Sequence, residues 1–268
     1  MSSTTPQSAL RFFGFGYACL AYVAFYGAFG FFVLTTMGYT ASWEWSRAPE
    51  FDSPLVAALF NLSLVVAFGL QHSVMARPRF KAWLTRLVPP ALERSTFVWV
   101  SNLSLAGACM LWAPVPGAPW TIAPGPIATS LWALGAVGWA GVAGSSFLID
   151  HFELFGLQQS WSWLAGREAK AQPFRTPGAY RVVRHPMMLS MVVGLWATPE
   201  MSTVRLLLAA GMTAYIATGI RFEERDLVRL FGDRYRAYQN HVPALFPRPY
   251  PRPVSSRSAR ALSTTREG

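Results

Sequence analysis

Two short charged stretches in the last third of the chain hold residue types that can bind a small charged molecule. The first is Arg184-His185-Pro186, and the second contains Glu223-Glu224. A guanidinium group binds a carboxylate through two parallel hydrogen bonds, and a carboxylate binds an ammonium or sulfonium group. These residue types therefore suit a zwitterionic ligand.

An apolar hairpin separates the two charged stretches. It has about 34 residues, enough for two short crossings of a bilayer, which brings both stretches to the same side of the membrane at adjacent helix ends. A residue before proline avoids the helical conformation, so we expect a turn at His185 and a helix that begins at Pro186. An interfacial basic cluster at Arg184 and a salt-bridge network around Glu223-Glu224 are the structural alternatives.

Long apolar runs with almost no internal charge make up most of the chain. Of its 268 residues, 52% are hydrophobic and only 13% are charged, which is unusual for a soluble domain and typical of membrane spans. We predict an all-α, polytopic integral membrane helical bundle with six spans. Because the last two spans are short, five spans plus a re-entrant helical hairpin is the alternative. The predicted spans are 12–37, 54–75, 96–112, 127–149, 186–198 and 203–220.

Glycines in the fourth predicted span recur at three-residue steps and form a ridge that favours tight packing against neighbouring helices. They are Gly135, Gly138, Gly141 and Gly144.

The net charge of +10 comes from arginines and lysines that are concentrated in particular loops. The loops 76–95 and 150–184 are basic, whereas the loop 113–126 carries no charge. Basic loops stay in the cytoplasm, so we predict that both termini are cytoplasmic. The membrane is expected to be the inner membrane of a bacterium. This distribution indicates membrane topology rather than nucleic-acid binding. The sequence leaves the oligomeric state open.

The chain divides into four predicted parts. They are an N-terminal tail at 1–11, a four-span bundle at 12–149, a region at 150–247 and a disordered tail at 248–268. The third part contains a cytoplasmic loop, the helical hairpin and the cytoplasmic cofactor-binding region. The tail at 248–268 is rich in proline, serine and arginine and has no apolar period, which indicates disorder.

The charged stretches and the residues after them resemble the isoprenylcysteine carboxyl methyltransferase family of polytopic membrane enzymes. The resemblance rests on Arg184-His185-Pro186, Glu223-Glu224-Arg225-Asp226-Leu227, Phe231-Gly232, Tyr235, Tyr238 and Val242-Pro243. It implies the methyl donor S-adenosylmethionine (SAM), bound on the cytoplasmic side. The cofactor-binding residues that it implies are Tyr180, Arg184, His185, Pro186, Arg221, Glu223, Glu224 and Tyr238. This chain has Met188 and Ser190 where the family usually has tyrosine and glycine.

Further stretches resemble the methanethiol S-methyltransferase branch of this family. They are the residues 71–77, 93–96, 151–157, 174–177 and 220–227. The branch implies methylation of a small volatile thiol, from methanethiol to dimethyl sulfide or from hydrogen sulfide to methanethiol.

The reaction that the branch implies needs a thiolate, and a thiol is mostly protonated at neutral pH. A proton acceptor is therefore useful. The catalytic candidates are His72, His151 and Glu153, because the two histidines lie at the predicted cytoplasmic ends of the second and fourth spans. The alternative for His72 is a buried structural histidine, and for His151 an interfacial one.

Other functions are open from the sequence alone. One is methylation of an isoprenylated or lipid carboxylate, which would require a wide lateral opening between spans. Another is a NnrU-like, haem-associated membrane protein with an axial histidine, drawn from His72, His151, His185 and His241. A transporter would place ionisable groups within its spans, and these spans are nearly free of them. No metal site is predicted, because the sequence lacks Cys-x-x-Cys and His-Glu-x-x-His motifs.

Overall fold

The computed structural model describes residues 6–39, 48–168 and 174–247. The predicted disordered tail 248–268 lies outside the described residues, as do residues 1–5 of the predicted N-terminal tail. The helices are α1 (Pro6–Thr36), α2 (Pro54–Met75), α3 (Pro78–Leu84), α4 (Glu93–Met110), α5 (Pro126–Ile149), α6 (His151–Leu154), α7 (Leu157–Leu164), α8 (Pro186–Trp196), α9 (Thr203–Phe231) and α10 (Asp233–His241). Two 3-10 helices, Pro90–Leu92 and Gly178–Arg181, and two strands, β1 (Trp120–Thr121) and β2 (Glu200–Met201), complete the described elements.

Four helices are long and apolar enough to cross a membrane. They are Gln7–Thr36, Pro54–Met75, Pro126–Ile149 and Thr203–Phe231. The all-α, polytopic membrane architecture predicted from the sequence is therefore confirmed. The predicted third span coincides with α4, and the predicted fifth span coincides with α8, a shorter apolar helix of 11 residues. The count of six spans stays a prediction, and so does the division into four parts.

Proline and glycine mark several of the boundaries between these helices. Pro54, Pro78 and Pro186 each occupy the first turn of a helix, where the missing N–H costs no hydrogen bond. Gly232 has a φ of +57°, a left-handed value that other residues rarely adopt. It therefore ends α9 and lets the chain change direction into α10.

The described residues fall into two compact units. The first unit comprises the described parts of 1–123, 150–172 and 200–211. In it α1 packs along α4 and α7, α2 packs on α4, and β1 pairs antiparallel with β2. The side chain of Asn61 is fully buried in α2 and makes two hydrogen bonds of 2.8 Å with the backbone of Ala113. Its amide thereby satisfies backbone groups of Ala113, just beyond the end of α4.

The second unit comprises the described parts of 124–149, 173–199 and 212–268, and its main contact joins α5 to α8. A Cβ atom added to Gly138 would lie 2.4 Å from the backbone nitrogen of Gly194, and one added to Gly135 would lie 2.6 Å from the carbonyl oxygen of Ala197. The two backbones are thus in direct contact, which confirms the predicted packing role of these glycines. Gly144 differs, because a Cβ atom added there would meet nothing within 4 Å.

Candidate functional site

The two charged stretches meet in the second unit, as the sequence predicts, and the carboxylate of Glu224 is the centre of their contact. Glu223 and Glu224 lie within α9, however, and not at a helix end as predicted. Arg184 Nε donates to Glu224 Oε1 at 2.6 Å, and His185 Nε2 lies 3.0 Å from the same oxygen. Gln239 Nε2 donates to Oε2 at 2.9 Å. Both carboxylate oxygens are therefore engaged within the protein. We call Arg184, His185, Glu224 and Gln239 the Glu224 network.

The backbone of the Arg-His-Pro turn is fixed by the segment that follows α10. The N–H of Arg184 donates to Pro243 O at 2.9 Å, and the N–H of His185 donates to Ala244 O at 3.0 Å. The turn ends at Pro186, which is buried and begins α8. These two backbone bonds attach the segment at Pro243 and Ala244, far along the sequence, to the Arg-His-Pro motif.

Arg184 also satisfies carbonyl groups at the C-terminal end of α10. Its Nη1 group donates to Gln239 O at 3.0 Å and to Val242 O. The last carbonyl groups of a helix have no partner inside the helix, so a basic side chain there is stabilising. Arg184 therefore uses Nε and Nη1 to hold the fold of the site together.

Glu223 differs from its neighbour in exposure. The side chain of Glu223 is 47% exposed, against 15% for Glu224. Successive residues of a helix point in different directions, so one carboxylate faces the network and the other faces outward. Glu223 Oε2 lies 3.6 Å from His185 Nδ1, which places the buried imidazole between two carboxylates. Glu223 is therefore the more accessible carboxylate of this pair.

The two predicted tyrosines hold the segment before α8 against α10. Tyr238 is buried, and its hydroxyl donates to the backbone oxygen of Tyr180. Burial, with a contribution from the charge of Glu223, raises the pKa of Tyr180 to about 12. Tyr180 therefore stays a neutral phenol at physiological pH and lies within electrostatic reach of Glu223.

An aromatic cluster supports these tyrosines, and its members Phe174, Phe231 and Tyr235 are not among the predicted cofactor-binding residues. The ring of Phe174 lies 5.1 Å from that of Phe231, 5.8 Å from that of Tyr235 and 5.6 Å from that of Tyr238. In the sequence, this cluster is indicated by the closely spaced aromatic residues at and after the Phe231-Gly232 turn.

The predicted cofactor-binding residue Arg221 and the variant position Ser190 have different surroundings. Arg221 is exposed on α9 and, in the described part of the chain, takes no part in the Glu224 network. Ser190, one of the departures from the family pattern, packs against α5, with its hydroxyl 2.5 Å from where a Cβ atom of Gly141 would be. The larger residue at position 190 is thus accommodated by a glycine on the facing helix.

His151 lies in the first unit and bonds two tyrosines of α1. Its Nε2 atom lies 2.7 Å from Tyr22 Oη and 3.2 Å from Tyr26 Oη, and the two hydroxyls are 3.1 Å apart. The imidazole is 4% exposed, and burial lowers its pKa against the opposing effect of Asp150. We call Tyr22, Tyr26 and His151 the His151 cluster. Sequence reasoning missed the tyrosines, although their i, i+4 spacing places them on one face of α1.

The other two catalytic candidates also lie in the first unit. His72 Nδ1 lies 3.2 Å from Ser101 Oγ, and its ring packs 4.8 Å from that of Phe97. Glu153 lies on α6, where burial and the charge of Asp150 raise its pKa while Arg94 opposes the shift. The structure thus groups the three catalytic candidates in one unit and the cofactor candidates in the other.

Curated proteins similar to this chain share most of its length. Methanethiol S-methyltransferase 1 of Bradyrhizobium diazoefficiens is 40% identical over 243 residues, which cover 91% of this chain and 85% of the relative. Methanethiol S-methyltransferase of Mycobacterium tuberculosis is 40% identical over 237 residues, 87% of this chain and 96% of the relative. Nurim of Sus scrofa is 31% identical over 192 residues, 68% of this chain and 72% of Nurim. No protein-family model matches the chain, and no solved structure matches it.

Proposed function

The chain belongs to the family of methanethiol S-methyltransferases, and on that basis we propose that it transfers a methyl group from SAM to the sulfur of methanethiol, forming dimethyl sulfide. The observation that carries this proposal is 40% identity across 91% of the chain. The four long apolar helices make it an integral membrane protein. A membrane location suits the reaction, because a small volatile thiol can arrive through the lipid.

The described residues around Glu223 fit a zwitterionic methyl donor. SAM, when bound, supplies a methyl group on a positively charged sulfur. The half-exposed carboxylate of Glu223 would bind the ammonium or sulfonium charge. The exposed guanidinium of Arg221 would bind the carboxylate, and the neutral phenol of Tyr180 would donate a hydrogen bond.

The remaining predicted cofactor residues act by positioning in this proposal. Arg184 and Glu224 hold the Arg-His-Pro turn against α9 and α10 through the contacts described above. His185 lies between the two carboxylates and fixes the orientation of Glu223. Pro186 and Tyr238 set the backbone on either side of the turn. The cofactor site thus combines a buried, internally paired carboxylate with an outward-facing one.

We propose His151 as the first of the candidates to accept the thiol proton. Burial lowers its pKa, so the imidazole is neutral at physiological pH and has a lone pair for a proton. The hydroxyl groups of Tyr22 and Tyr26 at Nε2 fix the ring and can pass a proton onward. His72 and Glu153 stay alternatives for the same role.

The proposed topology has six spans, with both termini and the cofactor region in the cytoplasm. The basic loops 76–95 and 150–184 support this orientation, because positively charged loops remain on the cytoplasmic side. Labelling of single cysteines placed in these loops, from either side of the membrane, would test it. Labelling of either loop from the periplasmic side would contradict it.

The reaction itself is tested with the purified protein in lipid nanodiscs. Headspace gas chromatography should detect dimethyl sulfide when SAM and methanethiol are supplied, and a parallel reaction with hydrogen sulfide should show whether methanethiol forms. Calorimetry should detect SAM binding. Failure to bind SAM and to methylate either thiol would overturn the proposal, and a haem absorbance band would favour the haem-associated alternative.

A further inference from the structure

A groove of about 440 Å³ lies in the second unit, next to the Glu224 network. Its lining includes Val183 and Pro186, which immediately flank Arg184 and His185 in the chain. Every lining residue is apolar or glycine, except for the serines at positions 145 and 190. The groove therefore offers an uncharged surface that begins where the charged network ends.

The groove exists because α5 and α8 are in close contact only over part of their length. At Gly141 the side chain of Ser190 fills the space that a Cβ atom would occupy. One turn later, at Gly144, a Cβ atom would meet nothing within 4 Å, although this residue also lines the groove. Gly144 thus marks a place where the wall of the groove has room for a side chain.

We infer that this groove binds the alkyl group of the thiol substrate and that it accepts alkyl groups longer than methyl. The inference rests on the proposed function and names the substrate class of the same site. A neutral alkyl group needs no polar partner, whereas the charges of a methyl donor would be left unpaired against an apolar wall, which is unfavourable. The charged donor and the apolar acceptor would therefore be bound by adjacent surfaces of different chemistry.

The size of the groove supports the second part of the inference. Methanethiol is about the size of three water molecules, or ~90 Å³ at the volume of liquid water. The groove has several times that volume. Thiols with three or four carbons would bury additional methylene groups in it. Relative to the thiol in water, each buried methylene improves binding about fourfold, which corresponds to ~0.8 kcal/mol.

The first test compares the series from methanethiol to butanethiol in the wild-type protein and in Gly144→Leu. The wild type should show a kcat/KM that rises with each added carbon, by up to about fourfold per methylene. Gly144→Leu should lower the kcat/KM of butanethiol at least tenfold and that of methanethiol less than threefold. A Cβ atom at position 144 meets nothing within 4 Å, so we expect the variant to fold, and its melting temperature checks this. Gly16→Leu, on α1, is the matched control, since a Cβ atom there also meets nothing within 4 Å.

The second test measures occupancy without turnover. In Gly144→Cys, the rate of thiol labelling by a methanethiosulfonate reagent should fall when butyl methyl sulfide, the product of butanethiol methylation, is added. The wild type, labelled in parallel, corrects for Cys19 and Cys109. SAM binding, measured by calorimetry, should be the same in the wild type and in Gly144→Leu.

Each contrary result has a distinct meaning. If Gly144→Leu weakens SAM binding and leaves the chain-length profile unchanged, the groove holds the methyl donor and the inference is wrong. A wild type that methylates methanethiol alone, with no labelling protection at position 144, also overturns it while leaving the proposed function intact. A wild type that methylates no thiol overturns the proposed function and this inference together.

Discussion

The Glu224 network in the second unit is built around an ion pair between Arg184 and Glu224, whereas the His151 cluster in the first unit is built from neutral groups. The network pairs a guanidinium and an imidazole with one carboxylate, and Glu224 remains 15% exposed. The cluster joins two phenols to a histidine that is 4% exposed and whose pKa is lowered by burial. Both regions thus stabilise buried polar side chains, the network by pairing charges and the cluster by hydrogen bonds between neutral groups.

The difference predicts how each region fails. Removing one member of a charged network leaves an uncompensated charge, which is strongly destabilising. Removing one member of a neutral cluster leaves an unsatisfied hydrogen-bonding group, which costs less. The two regions should therefore differ in the size of mutational effects and in their response to pH.

The largest effect is expected for Glu224→Ala. The substitution removes the acceptor of Arg184, His185 and Gln239 together, so the Arg-His-Pro turn should separate from α9. We expect SAM binding to fall more than a hundredfold, with a free energy of unfolding lower by about 3–5 kcal/mol, the range for a broken buried pair. Calorimetry and thermal unfolding in detergent measure the two quantities. Normal SAM binding by a folded Glu224→Ala protein would contradict the assigned site.

The next largest effect is expected in the first unit, for Asn61→Leu. The leucine retains the volume but leaves the N–H and C=O of Ala113 without their partner. An unsatisfied buried polar group costs about 1–3 kcal/mol, so the melting temperature should fall clearly. SAM binding at a temperature below the transition should be unchanged. Asn61→Asp serves as a second variant, because it keeps the hydrogen-bond acceptor and loses the donor. If Asn61→Leu and Asn61→Asp were both as stable as the wild type, the amide would contribute nothing to stability.

Glu223→Gln should affect binding more than stability. Its side chain is 47% exposed and its contact with His185 is 3.6 Å long, so the melting temperature should shift little. A hydrogen bond to a charged group contributes about 1.5–3 kcal/mol, which predicts SAM binding weaker by about ten- to a hundredfold. Asp226→Asn, which alters an exposed carboxylate one turn later on α9, is the matched control. If both variants bind SAM equally well, Glu223 does not contact the donor.

The contrast between the two regions also explains what the sequence could predict. Arg184, His185, Glu223 and Glu224 stand out because charged residues are rare near apolar spans and must find partners. Nothing in the local pattern distinguishes Glu224, which holds the network together, from Glu223, which faces outward. That distinction depends on the direction in which α9 presents each side chain, and on Gln239 from a separate helix.

Neutral polar residues within spans are harder to identify from the sequence than the charged ones. Tyr22, Tyr26 and Asn61 belong to apolar helices whose sequence indicates a membrane span and little else. Their partners, His151 and the backbone of Ala113, are far away in the chain, and only the packing of the helices brings them together. The glycine ridge was easier, because close approach at Gly135 and Gly138 follows from residue size alone.

The smallest expected effect is the contribution of His151 to the pH dependence of folding stability. Burial lowers its pKa below the ordinary value of 6.5, so folding favours the neutral imidazole. Its contribution to stability is therefore fully present above about pH 6.5 and is lost as the pH falls toward the lowered pKa. Melting temperatures between pH 8 and pH 5 should decline more steeply for the wild type than for His151→Gln, and the subtraction removes the opposing contribution of Glu153. Tyr22→Phe should keep the slope while reducing stability by about 1 kcal/mol, the net value of a neutral hydrogen bond. Equal slopes in the wild type and His151→Gln would mean that this histidine gains nothing from being buried uncharged, and the contrast with the Glu224 network would then rest on hydrogen bonding alone.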